Sequence, residues 1–264
     1  MTPVTADGQT FTDHDAALMY DVENRWDRLG WPADRFYSDA VAAAGTVSDS
    51  GSASTGGSVL DVGCGTGSML HAAREEGHPG RLVGVDPDEA MLARARQRDD
   101  VEWVRATAAE MTFAGEFELA VMASNAFQCF VTDQELRASL AAIRRALTDG
   151  GAFVFGTRHL QARAWEAWNP SNAGNLTLPD GREFRGWHEV QRVDGPLVTF
   201  TETTALPDGT PLRVSSTTLR FHTPETLNPF LVEVGFRVES QYGDWHRGPL
   251  GADSREIITV ARAQ

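Results

Sequence analysis

What the sequence lacks removes several classes of protein from consideration. No run of eighteen apolar residues occurs, so no segment is built to span a bilayer. Only two cysteines are present, Cys64 and Cys129, which make neither a disulfide framework nor a zinc quartet. Positive charge is scarce: 23 basic residues stand against 37 acidic ones, a formal net charge of −14. The basic residues are scattered singly or in pairs such as Arg144 and Arg145, without the clusters that a phosphate backbone requires. Nucleic acid is therefore not an expected partner. The N-terminal stretch MTPVTADGQTFTDHDAA is polar and acidic, unlike a secretory signal or a transit peptide, and a cytoplasmic location is the expectation.

What is present suits an α/β protein. With 264 residues, 41% hydrophobic and 23% charged, the chain can form one large domain or a domain carrying an insertion. From His14 to about Ala44 apolar residues recur at helical spacing, in DAALMYDVENRWDRL and DRFYSDAVAAAG, split by Gly30 and Pro32. TVSDSGSASTGGS reads as a flexible surface loop. Strands and helices then alternate. SVLDV, RLVGVD, VEWVRA, FELAVMA and GAFVFGT read as strands. SMLHAAREEG, PDEAMLARARQ with Pro87 in its first turn, and TDQELRASLAAIRRAL with a Thr132–Glu135 capping box read as helices. Near-continuous apolar strands in this alternation predict a parallel sheet covered on both faces.

Beyond about Arg158 the pattern changes. HLQARAWEAW predicts a helix and NPSNAGNLTLPDGREF a loop. FRGWHEVQRV, LVTFTETTAL and LRVSSTTLRF, with turns at Asp194-Gly195 and Asp208-Gly209, predict an antiparallel sheet of hairpins. TPETLNPFLVEVG returns to helix, capped by Thr223 with Pro224 at its first position, and FRVESQYG and SREIITVARA close the chain as strands.

The informative stretch is VLDVGCGTGSML, from Val59 to Leu70. Its glycines, Gly63, Gly65 and Gly67, are spaced G-x-G-x-G, whereas a dinucleotide fingerprint is G-x-G-x-x-G and a phosphate loop needs Gly-Lys-Ser/Thr. Asp61 precedes the turn, where a carboxylate suits an ammonium group rather than a pyrophosphate. Asp86 ends the next strand, nineteen residues beyond Gly67, placed to accept from both hydroxyls of a ribose. An ammonium at the first turn and a ribose at the second strand describe S-adenosylmethionine.

VLDVGCGTG followed by VGVDPDEAML resembles the first two motifs of the class I S-adenosylmethionine-dependent methyltransferases. VEWVRATAAEMTF is similar to the third, where an Asp-Ala pair contacts adenine. Thr107 stands in the Asp position and Ala108 in the Ala position, a departure that bears on the side-chain contact to the adenine amino group. FELAVMASNAF and LTDGGAFVFGT match later motifs, so the resemblance covers residues 59–157 and extends to the closing strands. It implies a Rossmann-like, seven-stranded, mostly parallel sheet with helices on both faces, an N-terminal helical lid and an antiparallel β insertion after strand five. The expected boundaries are 1–56 for lid and linker, 57–157 for the cofactor core, 158–222 for the insertion and 223–264 for the closing elements. The implied cofactor site draws on Asp61, Gly63, Cys64, Gly65 and Gly67, then Asp86, Pro87 and Met91, then Thr107 and Ala108, then Ala123 and Ser124. Tyr20, in a Tyr-Asp pair like that of several small-molecule methyltransferases, and Arg25 are candidates for the methionine carboxylate; core packing of Tyr20 and Trp26 is the competing reading.

Methyl transfer asks chiefly that a nucleophile be placed behind the carbon, which leaves little mark on a sequence. In open α/β sheets the crevice lies beyond the carboxyl ends of the strands. That places Ser124, Asn125, Phe127 and Gln128, leaving strand four, and Arg158 and His159, leaving strand five, at the reacting centre. His159 is the candidate general base, with His188 and His222 as rivals, and Asn125 and Gln128 are candidates for orienting the acceptor. His14, His71, His78 and His246 receive no role. Trp26, Phe127, Arg158, Trp165, Trp187 and His222 are the candidate substrate contacts, with Trp168 and Phe184 nearby. An insertion of β-hairpins here resembles that of the amino-sugar and glycine N-methyltransferase relatives, where it shapes the acceptor pocket; its aromatics suit either an apolar pocket or packing of the insertion itself. The expected activity is methylation of oxygen or nitrogen on a small metabolite, with no metal, no membrane, and a monomer or homodimer. The alternatives are a non-methylating reaction such as cyclisation or decarboxylation in the same fold, or a non-catalytic cofactor-binding partner.

Overall fold

The structure, a computed structural model, describes residues 11–27, 29–46 and 56–264. Most of the predicted Ser/Gly-rich loop, residues 47–55, lies outside the described residues. In chain order the elements begin with α1 (Asp13–Glu23), α2 (Pro32–Gly45), β1 (Val59–Val62), α3 (Ser68–Glu75) and β2 (Leu82–Asp86). There follow α4 (Glu89–Ala95), β3 (Glu102–Arg105), β4 (Phe117–Met122), α5 (Asp133–Ala146) and β5 (Leu147–Arg158). The chain continues through β6 (Gly174–Thr177), β7 (Glu183–Asp194), β8 (Leu197–Ala205) and β9 (Pro211–Arg220), and ends with α6 (Pro224–Glu233), β10 (Phe236–Tyr242) and β11 (Glu256–Ala263). Contacts divide it into two units: Met1–Arg25 with Arg163–Phe221, and Trp26–Ala162 with His222–Gln264. Among the described residues no helix is long and apolar enough to cross a membrane.

The larger unit holds a seven-stranded sheet in the order β10-β11-β5-β4-β1-β2-β3. The five strands from β5 to β3 run parallel; β11 runs antiparallel to β5, and β10, antiparallel to β11, runs the same way as the five. Every residue of β1 and β2 is buried, as strands sandwiched between helices require. One face packs Leu60, Val83 and Phe155 against Leu136, Leu140 and Leu231 from α5 and α6. The other packs Val59, Val121, Val154 and Ile258 against Phe36, Tyr37 and Val41 of α2 and Leu70 of α3. The strand order reverses between β1 and β4, which makes the carboxyl ends of those two strands the switch point where a crevice forms.

The smaller unit is a four-stranded antiparallel sheet, β6-β7-β8-β9, with α1 on it. Phe11 and Met19 pack with Leu178, Phe184 and Leu212. Asp15, buried, accepts from Arg182 Nη2 at 2.7 Å, and Asp13 from Arg213 Nη1 at 2.8 Å.

Several local expectations are corrected. The first helix stops at Glu23 rather than continuing towards Leu29, because the Asp27 carboxylate takes the Leu29 and Gly30 N–H groups into a turn. Pro87 precedes α4 rather than opening it; Asp88 is the cap, accepting from Ala90 N at 2.8 Å. Thr132 caps α5 as expected, but Glu135 accepts from Val131 N rather than closing the box. HLQARAWEAW is not a helix: it forms short 3-10 turns broken at Arg163, which sits at φ 47°. The segment read as a loop contains β6, whose four residues pair with β7.

Candidate active site

The glycine turn joins β1 to α3 with Gly63, Gly65 and Gly67 at φ 75°, 55° and 79°, a left-handed path that favours glycine at each step. It is pinned from behind by Gly63 N–H donating to Val85 O at 2.8 Å. At Gly67 a Cβ would lie 2.3 Å from the Trp103 ring, and at Gly84, mid-strand in β2, 2.5 Å from the same ring. Trp103 was not foreseen; an isolated glycine inside a buried strand was the available signal of such a close approach.

Below the turn, Asp61 is 2% exposed and its Oδ1 has no hydrogen-bond partner. Burial, reinforced by the Asp86 carboxylate, pushes its pKa up to about 8. A buried carboxylate oxygen without a donor beside a backbone-only turn fits an ammonium ligand. Asp86 accepts from Gly65 N at 2.8 Å through Oδ2 and from Asp88 N at 2.9 Å through Oδ1. Burial raises its pKa in spite of those two bonds. Asp86 therefore holds the turn in place while its remaining lone pairs can accept ribose hydroxyls. Cys64 and Met91 are half-buried beside these groups and Pro87 is exposed. Ala108 is buried, and Thr107 donates its hydroxyl to Glu110 Oε2 at 2.8 Å, so its side chain serves a local cap. These residues fit S-adenosylmethionine, which carries both an ammonium and a ribose.

Beyond β4 the backbone turns through Ser124 and Asn125 at φ 52° and 60°, two successive non-glycine residues in the left-handed region. Asn125 Oδ1 is buried without a partner, and Ala123 is half-buried. Gln128 is fully buried and accepts from Arg158 Nη1 at 3.0 Å, which brings the ends of β4 and β5 together. His159 is 3% exposed; its Nδ1 accepts from Gln161 N at 3.2 Å, and burial lowers its pKa despite the nearby Glu225. It bridges to His222, which is also buried.

Three candidate substrate contacts serve packing. Phe127 is fully buried and stacks on Phe155 at 4.2 Å, because the 3-10 turn after Asn125 directs it into the core. Trp26 donates Nε1–H to Ser38 Oγ and lies 6.4 Å from the Tyr37 ring. Trp165 is buried edge-on to Phe221 at 4.6 Å within the smaller unit. Tyr20, Arg25, Trp187 and the exposed His188 also belong to that unit, with Tyr20 and Trp187 half-buried and Arg25 exposed. Glu256 and Thr157, absent from the expectations, lie at the same end of the sheet as Asp61 and Asn125. Among the described residues no cluster of three or more His, Cys, Asp or Glu is placed to hold a metal.

A methyltransferase-domain family model matches residues 59–151, the segment containing the turn and both acids. A cypemycin N-terminal methyltransferase from Streptomyces sp is 30% identical over 225 residues, covering 79% of this chain and 84% of the relative. An S-adenosylmethionine-dependent methyltransferase from Clostridium acetobutylicum superposes with a TM-score of 0.72 at 16% identity, over 94% of this chain and 97% of the other. An S-adenosylmethionine-bound amino pentose methyltransferase from Micromonospora echinaspora gives 0.64 at 22% identity, over 93% and 96%. With the glycine turn between β1 and α3, Asp61 and Asp86 on neighbouring strands beside it, and the cypemycin methyltransferase as a relative, the chain belongs to the S-adenosylmethionine-dependent methyltransferases.

Proposed function

We propose that the chain transfers the methyl group of S-adenosylmethionine to the nitrogen of a small metabolite. The observation that carries the cofactor half is the unpartnered Asp61 Oδ1 beneath the glycine turn, on the strand next to the one that ends in Asp86. Nitrogen rather than oxygen is supported by the name of the cypemycin relative, an N-terminal methyltransferase. The cofactor supplies an electrophilic methyl carbon on a sulfonium. The chain's own groups do the rest: Asp61 accepts from the ammonium and Asp86 from the ribose hydroxyls. Asn125, held in a strained backbone conformation, and Gln128, braced by Arg158, orient the acceptor. His159, with Nδ1 engaged by Gln161, fixes the turn leaving β5. We further propose a partly apolar acceptor pocket, a cytoplasmic setting, and a monomer or homodimer.

The test is calorimetric binding of S-adenosylhomocysteine to wild type and Asp86→Ala, followed by turnover with an amine panel. Asp86→Ala should bind at least tens of times more weakly, since hydrogen bonds to a charged group contribute about 2–3 kcal/mol. Equal binding by the two proteins would sink the assignment of Asp86.

A further inference from the structure

We propose that Glu256 is the acceptor's carboxylate: it binds the protonated amine and takes the proton that must leave before nitrogen can receive a methyl group. The proposal rests on the methyl-transfer reading above and names the residue that completes it.

The strand order divides the carboxyl edge of the sheet into two halves. β1, β2 and β3 carry Asp61, Asp86 and the Thr107-Ala108 pair, so that half belongs to the cofactor. The acceptor half is left with β4, β5, β11 and β10. In that half, three buried side-chain oxygens among the described residues have no hydrogen-bond partner: Asn125 Oδ1, Thr157 Oγ1 and Glu256 Oε2. Of the three residues, Glu256 alone ionises. Because β11 runs antiparallel, its first residue comes to the carboxyl end of β5, and Glu256 stands in register with Arg158. Arg158 gives Nη1–H to Gln128, and its charge acts on Glu256 from the neighbouring strand while Oε2 stays unpartnered. A buried carboxylate oxygen without a donor is costly, and a cationic ligand is what satisfies it.

Glu256 cannot serve the group assigned to Asp61. The two lie three strand positions apart, roughly 14 Å at about 4.8 Å per strand. Nor is His159 a ready base at this end. Its Nδ1 accepts from Gln161, so in the neutral ring the proton is on Nε2 and neither nitrogen is free to accept another. Burial lifts the Glu256 pKa above the usual carboxylate range, against the pull of Arg158 and Arg255. The other group facing it is the Tyr37 hydroxyl of α2, which donates to Met122 O at 2.9 Å. Raised proton affinity, beside an ammonium whose own charged form is disfavoured by the same burial, brings the two protons' affinities together. In the step, an N–H bond of the ammonium breaks and an O–H bond forms on Glu256. The freed lone pair bonds to the methyl carbon as the carbon–sulfur pair stays on sulfur, and the product leaves as an ammonium.

The test uses full-length protein saturated with S-adenosylhomocysteine and matched probes: methylamine, butylamine and benzylamine against methanol, butanol and benzyl alcohol. Wild type should bind amines at least about tenfold more tightly than the paired alcohols. Glu256→Gln should lose that preference with its S-adenosylhomocysteine affinity unchanged within about twofold, and Glu256→Asp should keep part of it. No amine preference in wild type, including no binding of any probe, or a preference that survives in Glu256→Gln, overturns the proposal. If Glu256→Gln does not fold, the wild-type preference measured across pH decides: with the protein kept saturated with S-adenosylhomocysteine, it must fall as acid protonates Glu256, and a preference that persists overturns the proposal. Failure of wild type to bind S-adenosylhomocysteine would instead sink the methyl-transfer reading.

Discussion

At Asp61 a carboxylate is kept where water cannot reach it, and its proton reports on the cofactor. In the unfolded chain the group ionises near 3.8; in the fold, burial and Asp86 raise this to about 8. Between those values the cofactor-free fold holds a proton that the unfolded chain does not. Its contribution to stability is therefore complete below pH 4 and lost as pH rises towards 8. An ammonium ligand favours the carboxylate, so uptake of S-adenosylhomocysteine at pH 7 should release close to one proton. Calorimetry in buffers of different ionisation enthalpy measures it directly. Asp61→Asn should release none and bind about ten to a hundred times more weakly. Release unchanged in the variant would mean that another group titrates. Asp61 and Asp86 were legible in the sequence because each sits at a fixed offset from a glycine turn. Glu256 was not: nothing local marks an acid at the start of a last strand as facing a crevice until that strand is seen to run antiparallel beside β5.

Elements were legible where one hydrophobic period ran unbroken. The parallel strands and α5 stand close to their expected places, because alternation and a Thr132 cap are local signals. HLQARAWEAW misled because its apolar spacing imitates a helix while its tryptophans are committed to packing on Phe221 and Phe200. The partner of α1 was also hidden, since Asp15 and Arg182 are separated by 167 positions. Burial works against the charged Asp15, but bonds from Thr12 and Arg182 outweigh it and hold its pKa below the ordinary value of 3.8. That contribution is present above about pH 4 and is lost as pH falls through the folded pKa. Arg182→Met leaves a buried carboxylate short of its partner, a loss of about 1–3 kcal/mol. Amide exchange in Asp13–Glu23 should quicken several-fold relative to wild type, with the β5 amides unaffected. Equal protection of α1 in both proteins would show that Phe11 and Met19 hold the helix without the ion pair.

At the scale of the whole molecule, the chain leaves the larger unit after Ala162 and returns at His222, and the backbone at those two points is already joined. His159 and His222 form a bridge, and Leu160 N–H donates to His222 O at 2.8 Å. The larger unit thus has its own core on both faces of the sheet and needs only a short closure where the insertion is removed. A chain of residues 26–162 joined to 222–264 through about four Gly/Ser residues, enough to span roughly 13 Å, should fold cooperatively. It retains Asp61, the glycine turn and Asp86, so it should still bind S-adenosylhomocysteine, and the added substitution Asp86→Ala should weaken that binding as it does in the full chain. Titration calorimetry and thermal unfolding followed by circular dichroism check both parts. Cooperative unfolding without binding would show that the glycine turn, Asp61 and Asp86 are insufficient for the cofactor by themselves.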